Sequence, residues 1–177
     1  MDEELLSRQQ PQSLEAEQAV LGSILIDSRC ITDVVGIVKP EDFYLQQNRE
    51  IYEAIYTMFN FSQTIDPVTV LDKLKELGYY HDNSRDYILQ LMEITPTAAN
   101  VARYAAIVQE KSMLRGLNQA ATDIQQMVSE EVGTPAEMLE SAEKKIYALR
   151  KGERGDSLEH IGTTLHKVFD RLTEHFL

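Results

Sequence analysis

Ile51, Ala54, Ile55, Met58 and Phe59 fall at intervals of three and four residues, and that spacing places all five on one face of an α-helix. The same period recurs through most of the chain, whereas no stretch alternates apolar and polar residues as a half-buried strand would. Eight glycines and five prolines in 177 residues act as punctuation between these stretches. The pattern therefore predicts an all-α protein: a compact multi-helix N-terminal domain, a long helical hairpin, and a separate C-terminal amphipathic helix.

Residues 1–10 read as a polar tail. Ser13 then caps a helix with Glu15 and Glu17 near its positive end and Val20, Leu21, Ile24 and Leu25 on its buried stripe. A short second helix is expected over Ile31–Val38, stopping before Pro40 because the residue preceding a proline avoids helical angles. Glu41-Asp42-Phe43-Tyr44 follows as a turn with two aromatic anchors, and a third helix covers 46–60. Asp66 and Pro67 form an N-cap and first-turn proline, opening a helix through Val70, Leu71, Leu74 and Leu77 that stops at Gly78. After the polar loop 79–84, Tyr87, Ile88, Leu91 and Met92 mark a fifth helix ending by Pro96, which completes a globular domain over 11–112.

One long helix is then expected over about 99–130, its apolar stripe changing phase near Lys111-Ser112, as if it left one packing partner for another. Thr134-Pro135-Ala136-Glu137 is a capping box for a further helix to about residue 150. Residues 113–150 thus read as an antiparallel hairpin with arms of ~25 Å at 1.5 Å per residue. The segment 151–157, with two glycines among charges, reads as a flexible joint. Beyond it, within 158–177, Leu158, Ile161, Leu165, Val168, Phe169 and Leu172 form a docking face on a linker helix. Its stripe is still in phase at Leu177, so a longer parent chain is expected.

Composition excludes several function classes. The net charge is −12, and residues 1–96 hold 17 acids against 7 bases, so the front half should repel a phosphate backbone. No apolar run approaches the ~20 residues of a membrane span, and the single Cys30 with no basic-then-apolar leader points to a cytoplasmic setting. No glycine is followed by the Lys-Ser/Thr pair of a phosphate-binding loop, so no ATPase site is expected here. His81, His160, His166 and His175 lack the spacings of helical metal pairs, and neither catalytic residues nor a bound metal or cofactor is expected. Lys144, Lys145, Arg150, Lys151 and Arg154 suit the negative end of a helix dipole before they suit nucleic acid. The terminal stripe, with Glu159, Asp170 and Glu174 beside Lys167 and Arg171, fits a protein groove better than a lipid surface. A hairpin cannot bury the stripes of both arms by itself, so partners are called for.

Pro11-Gln12-Ser13-Leu14-Glu15-Ala16-Glu17-Gln18-Ala19-Val20-Leu21-Gly22, Pro40-Glu41-Asp42-Phe43-Tyr44, Asp66-Pro67-Val68-Thr69-Val70, Pro96-Thr97-Ala98-Ala99-Asn100-Val101 and Glu110-Lys111-Ser112 together resemble the N-terminal region of DnaB-type bacterial replicative DNA helicases. The likeness covers about residues 11–150, in order. It implies a parent that is a hexameric, ATP- and magnesium-dependent helicase moving on single-stranded DNA through a motor domain absent from this chain. It also implies a collar of paired hairpins, primase as a partner and a helicase loader as a further candidate. On that basis Tyr87, Leu117 and Ile124 are the expected partner-contact residues, and the 158–177 helix is expected to dock on a neighbouring motor. The alternative is a stand-alone helical adaptor of the primosome with no motor. Two departures from the family pattern stand out: Gly116, where a second basic residue is usual, costs a helix interior ~1 kcal/mol, and the 79–86 loop lacks the usual glycines.

Overall fold

The computed structural model describes residues 10–150, all of them in helices, turns and connecting segments with no strand. The described chain divides into two compact units, one ending at Arg115 and the other beginning at Gly116. The expected linker-helix face, Leu158 to Leu172, and the joint before it lie outside the described residues.

In the first unit, α1 (Leu14–Ile26) starts where the Ser13 hydroxyl accepts the Ala16 N–H at 3.3 Å. Its stripe of Val20, Leu21 and Ile24 is fully buried. The helix expected at Ile31–Val38 is instead a 3-10 helix at Ser28–Asp33 followed by turns. Asp27 caps it by accepting the Arg29 N–H. Ile31, Thr32, Val34 and Val35 are β-branched and Gly36 follows, so regular α-helix gains little here, while mixed three- and four-residue bonds still bury Ile31, Val34 and Val38.

α2 (Gln46–Asn60) supplies the centre of the core through Ile51, Ala54, Ile55 and Met58. Tyr52 joins them, fully buried, with its hydroxyl donating to the Val38 carbonyl at 2.9 Å and its ring stacked on Phe43. Phe59 is only partly buried. α3 (Pro67–Leu77) is capped at both ends as its sequence dictates. The Asp66 carboxylate accepts the Val68 and Thr69 N–H groups at 2.9 Å, and Gly78 turns left-handed at φ 76°. α4 (Ser84–Glu93) packs chiefly on α1. The crossing is tight enough that a Cβ on Gly22 would collide with the Leu91 carbonyl and the Thr95 hydroxyl. α5 (Val101–Ser129) closes this core with Val101, Ala105 and Val108 and continues as the first arm of the second unit.

Candidate protein-interaction surface

The second unit is a hairpin of α5 and α6 (135–150). The reversal is chemically determined. The Val132 N–H returns to the Met127 carbonyl at 3.1 Å, Glu131 and Gly133 take positive φ of 48° and 82°, and Thr134 and Glu137 form a reciprocal capping box. The Thr134 N–H donates to Glu137 Oε2 at 2.8 Å, and the Glu137 N–H donates to the Thr134 hydroxyl at 3.3 Å. Asp123 and Lys145 bridge the arms at 3.4 Å. Hydrogen bonds from Gln119 and Lys145 hold the Asp123 carboxyl below its usual range. A Cβ on Gly116 would lie 2.6 Å from Leu149 Cδ2, the end of a side chain that could turn aside.

What the hairpin lacks is an interior. Among its described residues, 116–150, only Ala120 is buried. Val128 is 59% exposed, Leu139 66%, Tyr147 68% and Leu117 43%, although three of these four residues carry large aliphatic side chains. Ile124, Val128, Met138, Leu139 and Ala142 line an open, mainly apolar groove of about 530 Å³. Val128 and Leu139 lie in this lining, so their exposed apolar surface is grouped rather than scattered.

Leu117 and Ile124 are seven residues, about two turns, apart on α5. Ile124 is half-buried in the groove wall, and Leu117 is exposed outside that wall. Tyr87 belongs to the first unit, partly buried against the core. Its hydroxyl donates to Asn48 Oδ1 at 2.6 Å and accepts from Gln18 Nε2 at 3.3 Å. Burial raises the Tyr87 phenol pKa, so the hydroxyl stays a neutral donor. The structure thus gathers two of the three expected residues into one unit and leaves the third in the other.

The hydrogen bond of Tyr87 opens onto a polar network that composition and period did not reveal. Glu17 is 1% exposed. Its carboxylate accepts the Tyr44 N–H at 2.6 Å, the Leu45 N–H at 3.3 Å and Asn48 Nδ2 at 2.9 Å. Arg115, the last residue of the unit, donates to the carbonyls of Pro11 at 2.8 Å and Asp42 at 2.6 Å and lies 5.5 Å from the Tyr44 ring centroid. Burial lowers its pKa while Glu17 and Asp42 act in the opposite direction. Tyr44 is therefore a partly exposed platform for Arg115, whereas Phe43 alone of the expected aromatic pair is a core anchor. A sequence signal for Glu17 existed: it precedes Val20, Leu21 and Ile24 by three, four and seven residues, which puts it on the buried stripe.

Among the described residues no three His, Cys, Asp or Glu side chains converge, and no helix is long and apolar enough to cross a membrane. His81 is exposed and paired with Glu50 at 3.1 Å. Cys30 is buried, and desolvation raises its thiol pKa to about 11.

Comparison with known proteins adds to this geometry. The family model for the DnaB-like helicase N terminal domain matches residues 9–110. Replicative DNA helicase DnaB of Leifsonia xyli is 36% identical over 143 residues, covering 80% of this chain and 31% of that protein. Replicative DNA helicase DnaB of Geobacillus stearothermophilus is 33% identical over 178 residues, covering 97% and 38%. The chain thus spans about a third of the length of these curated relatives. Among solved structures, the N-terminal domain of DnaB helicase from Mycobacterium tuberculosis superimposes with a TM-score of 0.74 at 37% identity, covering 80% of this chain and 99% of that one. A helical fold, a matching family model over more than half the chain and relatives of this identity agree: the chain belongs to the DnaB-like helicase N-terminal domain family.

Proposed function

We propose that this chain is the N-terminal region of a ring-forming replicative DNA helicase, and that it serves the ring by self-association through its hairpin and by binding primase. The observation that carries the reading is the hairpin with a single buried residue and an open apolar groove. A second copy of the same hairpin is the simplest closed way to cover it. ATP, magnesium and single-stranded DNA belong to a motor domain in the remaining two thirds of such a protein, and a helicase loader is a further partner of the assembled ring. The acidic first unit supports this division of labour, since it offers phosphates little attraction.

The test uses the 177-residue chain and the primase of its own genome. Calorimetry should give measurable affinity, weakened at least about tenfold in Leu117→Asp or Ile124→Asp protein with unchanged helical circular dichroism. Equal affinity in both variants, or no affinity for the parent chain, removes the primase assignment. The downstream reading frame tests the motor: a strand leading into a glycine-rich loop that ends Gly-Lys-Ser/Thr supports it, and a stop codon contradicts it.

A further inference from the structure

A recess also lies in the first unit. α1, the segment after α4, and α5 enclose an open pocket of about 380 Å³ whose lining includes Ser13, Ala16, Ala19, Ile94, Tyr104 and Ile107. Ile94 is 49% exposed, and Tyr104 and Ile107 are only partly buried. Arg103 and Lys111 stand one turn before and one turn after Ile107, on the same face of α5. Neither is in an ion pair among the described residues. We propose that this pocket is an intramolecular docking site for residues 2–6, with Leu5 and Leu6 entering the recess and Asp2, Glu3 and Glu4 facing Arg103 and Lys111.

Residues 2–6 lie outside the described chain, but their tether starts beside the pocket. Ser13 lines it, and the Arg115 guanidinium donates to the Pro11 carbonyl at 2.8 Å, so the point of departure is fixed. Seven residues lead from Ser13 back to Leu6, a reach of up to ~23 Å. The helix between Arg103 and Lys111 rises only ~12 Å. Asp-Glu-Glu-Leu-Leu sets three acids beside two leucines, which matches two cations beside an apolar recess. Residues 1–96 carry 17 acids against 7 bases, so two cations without acidic partners are a local exception that an acidic segment can use. Glu15 is exposed on the α1 wall, which directs the acidic end of the segment to the α5 side. Exposed charge pairs contribute little each, so the leucines carry the contact and the charges orient it. A short tether supplies a local concentration on the order of millimolar, so a contact too weak to hold a free peptide suffices. Every pocket residue belongs to the first unit, and the docking is therefore independent of how the hairpin associates.

Photo-cross-linking reads the contact in the 177-residue chain. With benzoylphenylalanine in place of Leu6, irradiation should attach the tail to the pocket segments 13–19, 94–97 or 104–107, in a product of single-chain mass. Arg103→Glu with Lys111→Glu should lower the yield at least about threefold with unchanged circular dichroism. Adding Asp2→Lys, Glu3→Lys and Glu4→Lys to that variant should restore it, because the attraction then runs with both signs exchanged. Adducts at twice the chain mass would place the tail on a second copy and overturn the intramolecular docking. Adducts elsewhere on the same chain, no adduct, or a yield that charge reversal leaves unchanged would overturn it as well.

Discussion

Glu17 is a buried carboxylate that ties two parts of the first unit together. A carboxylate taken out of water has to be compensated, and here three donors from the 44–48 segment do so within 3.3 Å. Through it, α1 fixes the chain entering α2, and Asn48 passes the connection to Tyr87. Removing the side chain leaves two backbone N–H groups and one amide without a partner. Glu17→Ala should therefore cost about 3 kcal/mol by urea denaturation, well above the ~0.5 kcal/mol typical of surface changes. A loss below 1 kcal/mol would show that the network contributes little. Cys30 gives a pH-dependent counterpart. Its folded pKa, about 11, lies above that of a free thiol, so the neutral thiol is favoured by folding. The resulting contribution is complete below about pH 8.5 and fades as pH rises towards 11. Alkylation of the native chain at pH 8 should accordingly be much slower than that of urea-unfolded chain, and equal rates would refute the burial.

The elements follow the sequence wherever local chemistry and period agree. Ser13, Asp66, Gly78 and the Thr134 to Glu137 box each stop or start a helix as their residue types require, because caps act within four residues and need no tertiary information. The segment after Asp27 departs from its expected α-helix because five bonds of mixed span satisfy its backbone while its β-branched residues reach the core. Arg115 was illegible for a related reason: its partners are carbonyls of Pro11 and Asp42, 104 and 73 residues away, and a backbone acceptor leaves no trace in residue type. Apolar surface left over on the hairpin was legible, since two apolar arms cannot cover each other fully, but the shape of the groove depends on how Met138 and Ala142 face Ile124. The α1–α4 crossing makes a prediction at this scale. Gly22→Ala puts a methyl against the Leu91 carbonyl, so it should destabilise the chain by about 2 kcal/mol despite the better helix propensity of alanine. An unchanged denaturation midpoint would mean the helices separate freely.

Taken whole, the molecule pairs a self-sufficient core with an element that has none. The first unit buries Val20, Leu21, Ile24, Ile51, Tyr52, Ile55, Ile88 and Leu91 completely or nearly so. The hairpin buries Ala120. Family membership accounts for the first, and self-association is the proposed account of the second. Sedimentation equilibrium of the 177-residue chain and its Leu139→Asp variant tests that account directly, because Leu139 lines the groove and is 66% exposed, so its replacement spares the core. The parent chain should sediment as a dimer or larger species at tens of micromolar, and the variant should shift towards the monomer with unchanged circular dichroism. A parent chain that stays monomeric at that concentration, or a variant that associates as strongly as the parent, would contradict it.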